Sequence, residues 1–102
     1  MTEGEIRKKA IAILEPNYVV WALQKVAPYQ TDIFGVFDLI AIHRQFSDVI
    51  FIQLTTTSNA SKRRRKISDW LNRNDLFDFK GAHLWHWNAA KNCFVNENIQ
   101  MP

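Results

Sequence analysis

Three side chains on two neighbouring apolar runs hold most of the chemical potential of this sequence. Asp38 lies inside Val36-Phe37-Asp38-Leu39-Ile40, where a carboxylate loses solvation and persists only when hydrogen-bonded, paired or bound to a metal. Gln53 and Thr55 close the run Val49-Ile50-Phe51-Ile52-Gln53-Leu54-Thr55. Side chains alternate along a strand, so Val49, Phe51, Gln53 and Thr55 share one face and Ile50, Ile52 and Leu54 the other, which puts Gln53 and Thr55 roughly 7 Å apart. A hairpin joining the two runs brings Asp38 beside them. Plainer readings stand next to this one: Asp38 at a bulge beside Gly35 or paired with an arginine, and Gln53 and Thr55 as a strand losing its apolar character on leaving the core.

Just beyond Thr55 runs Lys62-Arg63-Arg64-Arg65-Lys66. Such a run is commonly a solvated helix face, yet five consecutive cations repel one another unless something anionic lies near. Extending the apolar stripe of Ile67, Trp70 and Leu71 back one turn reaches Arg63 and Arg64, so at least one guanidinium should lean inward, with Lys66 at the rim. Arginine suits bidentate phosphate contact and lysine a point-charge contact, and both would position a nucleic-acid backbone without reading its sequence. Asp32 is an acidic ligand or a turn residue. His43, His83 and His86 show no zinc spacing, and His86 points away from Trp85 and Trp87 on a strand. The tryptophans serve as core, dimer contacts or base-stacking platforms, and Cys93 reads as structural.

The elements that must position these groups follow from periodicity. Thr2 and Glu5 form a capping box, with Lys9 one turn on, and Ile6, Ala10, Ile13 and Leu14 then recur at helical spacing up to Pro16, predicting a helix over 3–14. Tyr18 to Leu23 reads as a buried strand closed by Pro28, 34–42 as a second and 49–55 as a third, the short polar link 43–48 making the last two an antiparallel hairpin. Ser58 or Asn59 caps a helix over 60–72 that covers the sheet. Residues 82–87 and 93–99 form a final hairpin. The order is αβββαββ, an α/β arrangement of the α+β kind.

At 102 residues the chain has room for one core, so a single domain over 1–102 is expected. An apolar fraction of 47% excludes disorder, and a net charge of +3 fits an anionic partner while being shared by many ordinary domains. One cysteine excludes an internal disulfide and points to a reducing compartment. The opening Met1-Thr2-Glu3-Gly4-Glu5 lacks a signal-peptide pattern and no apolar run reaches the roughly 20 residues of a membrane span. A soluble, intracellular, cytoplasmic protein is expected, with no membrane partner.

Residues 3–70 resemble the PD-(D/E)xK nuclease superfamily, in particular small archaeal Holliday-junction-resolvase-like and phage members. Glu5 matches the family's first-helix glutamate, Asp38 its strand aspartate, and Gln53-Leu54-Thr55 occupies the acidic-x-lysine triplet. The resemblance implies a restriction-endonuclease-like αβββαββ core with a mixed central sheet flanked by helices. It further implies a Mg2+ or Mn2+ site held by Asp38, Gln53 and Glu5, with Thr55 and Lys66 completing the catalytic set, and action on DNA, including branched DNA, inside a cell or an infected host. Glutamine offers an oxygen but no charge, and threonine cannot replace the lysine that orients water and balances phosphate charge. Some members carry that lysine on the following helix, where Lys62, Arg63, Arg64, Arg65 and Lys66 lie here. The alternative is a nuclease fold that binds DNA without hydrolysis; a third reading is a small assembly protein dimerising through aromatic strands. A junction-cutting enzyme would be a symmetric homodimer, because two related cuts need two related sites.

Overall fold

The computed structural model describes residues 1–22 and 32–101. Its elements run α1 (Glu3–Leu14), β1 (Tyr18–Ala22), β2 (Leu39–His43), β3 (Val49–Thr56), a 3-10 turn (Thr57–Asn59), α2 (Ala60–Arg73), β4 (Ala82–Asn88) and β5 (Cys93–Asn98). The five strands form one mixed sheet in the order β1-β2-β3-β4-β5. All neighbours are antiparallel except β3 and β4, which run parallel across the α2 crossover. This is the expected hairpin of second and third strands: Leu39 faces Ile52 and Ile42 faces Val49.

Strand alternation sorts the core into two layers. Ile52 and Leu54 of β3, Leu39 and Ala41 of β2, and Trp85 and Trp87 of β4 pack against Ile6, Ala10 and Leu14 of α1. The opposite face takes Ala82 and Leu84 of β4 against Ala60, Ile67, Trp70 and Leu71 of α2, with Phe51 at its margin. Burying side chains of this size stabilises by about 1.5–3 kcal/mol each, which is why each helix holds to its own face of the sheet. α1 starts at a complete capping box, Thr2 accepting from the Glu5 backbone N–H while the Glu5 carboxylate reaches back to the N-cap. α2 starts differently from expectation: Asn59 is its N-cap but makes no side-chain cap bond, because the 3-10 turn delivers the chain into the helix.

The second strand is shorter than expected. The apolar pattern predicts one extended run over 34–42, but Phe34 and Gly35 have φ of 54° and 72°, and Ile33 bridges Phe37 across a tight turn. Apolar character there comes from packing of the turn, since Val36 and Phe37 bury themselves in the α2 layer. Leu23 and Pro28, expected to end the first strand, lie outside the described residues. A Cβ on Gly81 would sit 2.8 Å from the Val49 carbonyl oxygen and 2.9 Å from the Phe79 ring, so the entry into β4 passes too close to β3 for any side chain.

Candidate functional site

Asp38 sits where the 33–37 turn enters β2, and its backbone N–H donates to the Ile52 carbonyl at 2.8 Å. The register then places its side chain beside Gln53 on the α2 face. Both are buried, at 8% and 3% exposure. Asp38 Oδ2 accepts from the Leu54 backbone N–H at 2.8 Å and from Gln53 Nε2 at 3.1 Å. The same Gln53 nitrogen donates to the Leu54 carbonyl at 3.2 Å. With both amide protons directed at acceptors, the amide orientation is fixed by hydrogen-bond chemistry, and Gln53 Oε1 is left buried with no hydrogen-bond partner. A buried acceptor without a donor costs about 1–3 kcal/mol.

Thr55, two residues on, is also buried and lines a cavity of about 210 Å³ with Glu3, Leu54, Asn59 and Arg63. Arg63 is half-buried and its Nε has no partner. The inward lean expected of the arginines is therefore present, and it is divided. Arg63 turns to this cavity, whereas Arg64 crosses to β5 and makes a two-point contact with Glu97, Nε to Oε1 at 2.8 Å and Nη2 to Oε2 at 2.6 Å. Lys66 Nζ stands 4.0 Å from Asp32 Oδ2, so it is held toward the turn that precedes Asp38. Lys62 and Arg65 are exposed.

Glu5 is placed apart from this group. It is exposed on α1 and committed to the cap, accepting from the Thr2 hydroxyl at 3.0 Å and the Thr2 N–H at 3.3 Å. Those bonds hold its carboxyl below the usual carboxylate range. Of the α1 acids, Glu3 is the one that reaches the cavity. Asp32 behaves as the turn residue, its carbonyl accepting from Gly35 N–H at 2.7 Å.

Sequence reasoning missed a second polar group. His86 is buried on the α2 face, its Nε2 3.0 Å from Glu97 Oε2 and its Nδ1 3.2 Å from the Thr57 hydroxyl, which also donates to the Trp87 carbonyl at 3.0 Å. Arg64, by its hydrogen bonds, holds the Glu97 carboxyl below its ordinary value, with His86 adding to the effect. Trp85 and Trp87 face the α1 layer, so His86 does point away from them. The missing signal was the hairpin register: Leu84 faces Glu97 and His86 faces Val95, which puts Glu97 diagonally beside His86. Cys93 is exposed.

Among the described residues no group of three His, Cys, Asp or Glu side chains could hold a metal ion unaided. The donors present still suit a hard cation in one respect: Asp38 supplies an anionic oxygen, and Gln53 Oε1 is a buried oxygen lacking a donor. Magnesium is commonly held by one or two protein oxygens, the rest of its shell being water and substrate phosphate. No helix among the described residues is long and apolar enough to cross a membrane. Compared with known proteins, the chain matches no family model, no curated protein and no solved structure.

Proposed function

We propose that this chain is a PD-(D/E)xK-type nuclease domain that hydrolyses DNA phosphodiester bonds, including those of branched DNA, with Mg2+ or Mn2+, within the cytoplasm of a cell or of an infected host. The observation that carries the reading is the buried Asp38–Gln53 pair with its unsatisfied Gln53 Oε1, at the strand pair where the resemblance expects the metal ligands. The α1-β1-β2-β3-α2-β4 order, with a helix on each face of a mixed sheet, supports a restriction-endonuclease-like core. When bound, the cation would polarise a phosphoryl oxygen and activate water. Asp38 would be its anionic ligand and Gln53 a neutral one. Arg63, lining the neighbouring cavity with Thr55, supplies the positive charge that threonine in place of lysine does not, balancing charge that develops on phosphate.

A second reading has its own support. Glu5 is committed to the helix cap and Thr55 is uncharged, so a fold that grips DNA through α2 without cutting it is consistent with the same geometry. Incubating the chain with linear, nicked and branched DNA and with RNA, with and without Mg2+ or Mn2+, separates the two. Metal-dependent cleavage that disappears in Asp38→Asn supports the nuclease. Binding with no cleavage under any metal, and cleavage created by Gln53→Glu together with Thr55→Lys, gives the result to the binding module.

A further inference from the structure

We propose that the chain forms a two-fold dimer by antiparallel pairing of β1 with the β1 of a second copy, centred on Val20. β1 is the end strand of the sheet, and no described strand lies on its outer side. The direction of its backbone groups follows from one bond. Arg44 N–H donates to the Asn17 carbonyl at 2.9 Å, so Asn17 turns its carbonyl toward β2, and Val19 and Trp21 turn both backbone groups there by the alternation of an antiparallel ladder. Tyr18, Val20 and Ala22 therefore direct their N–H and C=O groups outward.

The two ends of the sheet differ in how they treat a passing strand. β5 presents Asn96, Glu97 and Asn98 in its second half, the polar and charged residues that discourage edge pairing. β1 is Tyr-Val-Val-Trp-Ala, with no charge, proline or bulge, and every residue but alanine favours strands. Its outward-facing side chains on the α2 side are bare: Val19 is 52% and Trp21 54% exposed, continuing into Ile42 and Val49 at 42% and 45%. A contiguous apolar strip at a sheet edge that no described strand covers marks an interaction surface.

A second copy fits this edge better than an arbitrary strand because the edge complements itself. Centring on Val20 pairs Tyr18 with Ala22 of the second copy and Val20 with itself, so every outward N–H meets a C=O. The non-hydrogen-bonded positions then set Val19 against Trp21 of the second copy, and the reverse. Those positions bring side chains closest, and aromatic–β-branched pairs are among the favourable cross-strand pairs. The symmetry axis stands perpendicular to the sheet, making one ten-stranded sheet with both α2 faces on the same side. The contact is isologous and closes at two copies. Pairing of β1 with β5 of another copy would instead propagate, and the polar half of β5 opposes it.

Sedimentation equilibrium of the full chain should give twice its 12.0 kDa mass. Trp21→Lys should weaken association on the order of a hundredfold, as loss of a central aromatic anchor does, with unchanged circular dichroism because Trp21 is half exposed. Val95→Lys, on the other edge, should leave the dimer intact. In a Cys93→Ser background, Val20→Cys, which keeps Trp21 and sits on the symmetry axis at a Cα separation of about 5.5 Å, should oxidise to a covalent dimer, which reports the register directly. A parent that is monomeric at every accessible concentration, a dimer indifferent to Trp21→Lys, open-ended assembly abolished by Val95→Lys, or a Val20→Cys chain that yields no covalent dimer would each overturn the proposal.

Discussion

Asp38 and Gln53 differ by one charge, and that charge decides what each can be asked to do. Asp38→Asn should abolish the proposed metal-dependent cleavage and, because Asp38 Oδ2 receives the Leu54 N–H and the Gln53 amide, should cost about 1–3 kcal/mol of stability, the value of charge-assisted bonds weakened to neutral ones; thermal unfolding measured beside activity separates the two effects. Gln53→Glu sets two buried carboxylates together, which raises the pKa of one of them and destabilises the fold. Magnesium should reverse that loss, so the melting temperature of Gln53→Glu should be below the parent's in chelator and should rise more than the parent's when magnesium is added. Equal magnesium responses in the two proteins would remove Gln53 from any cation site. Glu97 carries a different test. Its folded pKa is depressed, chiefly by Arg64, so the pair's contribution is fully present above the carboxylate's ordinary 4.5 and is lost as pH falls from there through the lower folded value. Both partners are partly in water, so the contribution is about 1 kcal/mol or less. Stability of Glu97→Gln should converge on that of the parent under acid and diverge from it toward neutrality, which pH-dependent denaturant melts would reveal.

Element by element, periodicity located α1 with its observed bounds and placed β3, α2, β4 and β5 to within a residue or so. Period 2 and period 3.6 are imposed by the same apolar burial that holds these elements in place, so they are visible in the sequence. The start of β2 was not, because a run such as Ile33 to Phe37 is equally apolar whether it pairs in a sheet or folds into a turn packed on a helix. Gly35 was the only hint, and Phe34 at φ 54° defies its residue type. The site was legible in the same uneven way. Alternation put Gln53 and Thr55 on one face, but a cap and a metal ligand ask for the same Glu5, and only the observed hydrogen bonds assign it to Thr2. For α2, the structure changes which cations to test. Arg64 is engaged with Glu97 and Lys66 stands by Asp32, whereas Lys62 and Arg65 are exposed and Arg63 lines the cavity. Lys62→Ala with Arg65→Ala should reduce the slope of log affinity for duplex DNA against log salt by about 1.8, two phosphate contacts' worth, with little loss of stability. Arg64→Ala should cost stability as well, since it strips Glu97 of its strongest partner. A salt slope unchanged in the double variant would return the basic run to a solvated helix face.

At the scale of the whole molecule, two apolar layers share one sheet. Ile52 of β3 is fully buried against α1, while Ile67 and Leu84 are fully buried in the α2 layer, and the layers are separated only by the thickness of the strands. Charge follows the same division of labour: the basic run lies on the helix over the Asp38–Gln53 face, and the chain's excess of +3 favours any polyanion that approaches. Because β3 and β4 contribute to both layers, neither can melt while the other keeps its packing. Emptying either layer by Ile52→Ala or Ile67→Ala should therefore cost about 2–5 kcal/mol, the range for large-to-small substitution of a buried aliphatic residue, and shift one transition common to both layers. The check is calorimetry with the van't Hoff and calorimetric enthalpies compared, alongside near-ultraviolet dichroism. Trp85 and Trp87 report on the α1 layer and Trp70 on the α2 layer, so in a Trp21→Phe background, which removes the half-exposed fourth tryptophan, Trp70→Phe isolates the first signal and Trp85→Phe with Trp87→Phe the second. Coincident melting curves from these variants, once aligned on their midpoints, are expected. Separate transitions for the two layers would mean that the shared strands do not couple them, and that the α2 face can loosen, with its basic helix, while the α1 face stays folded.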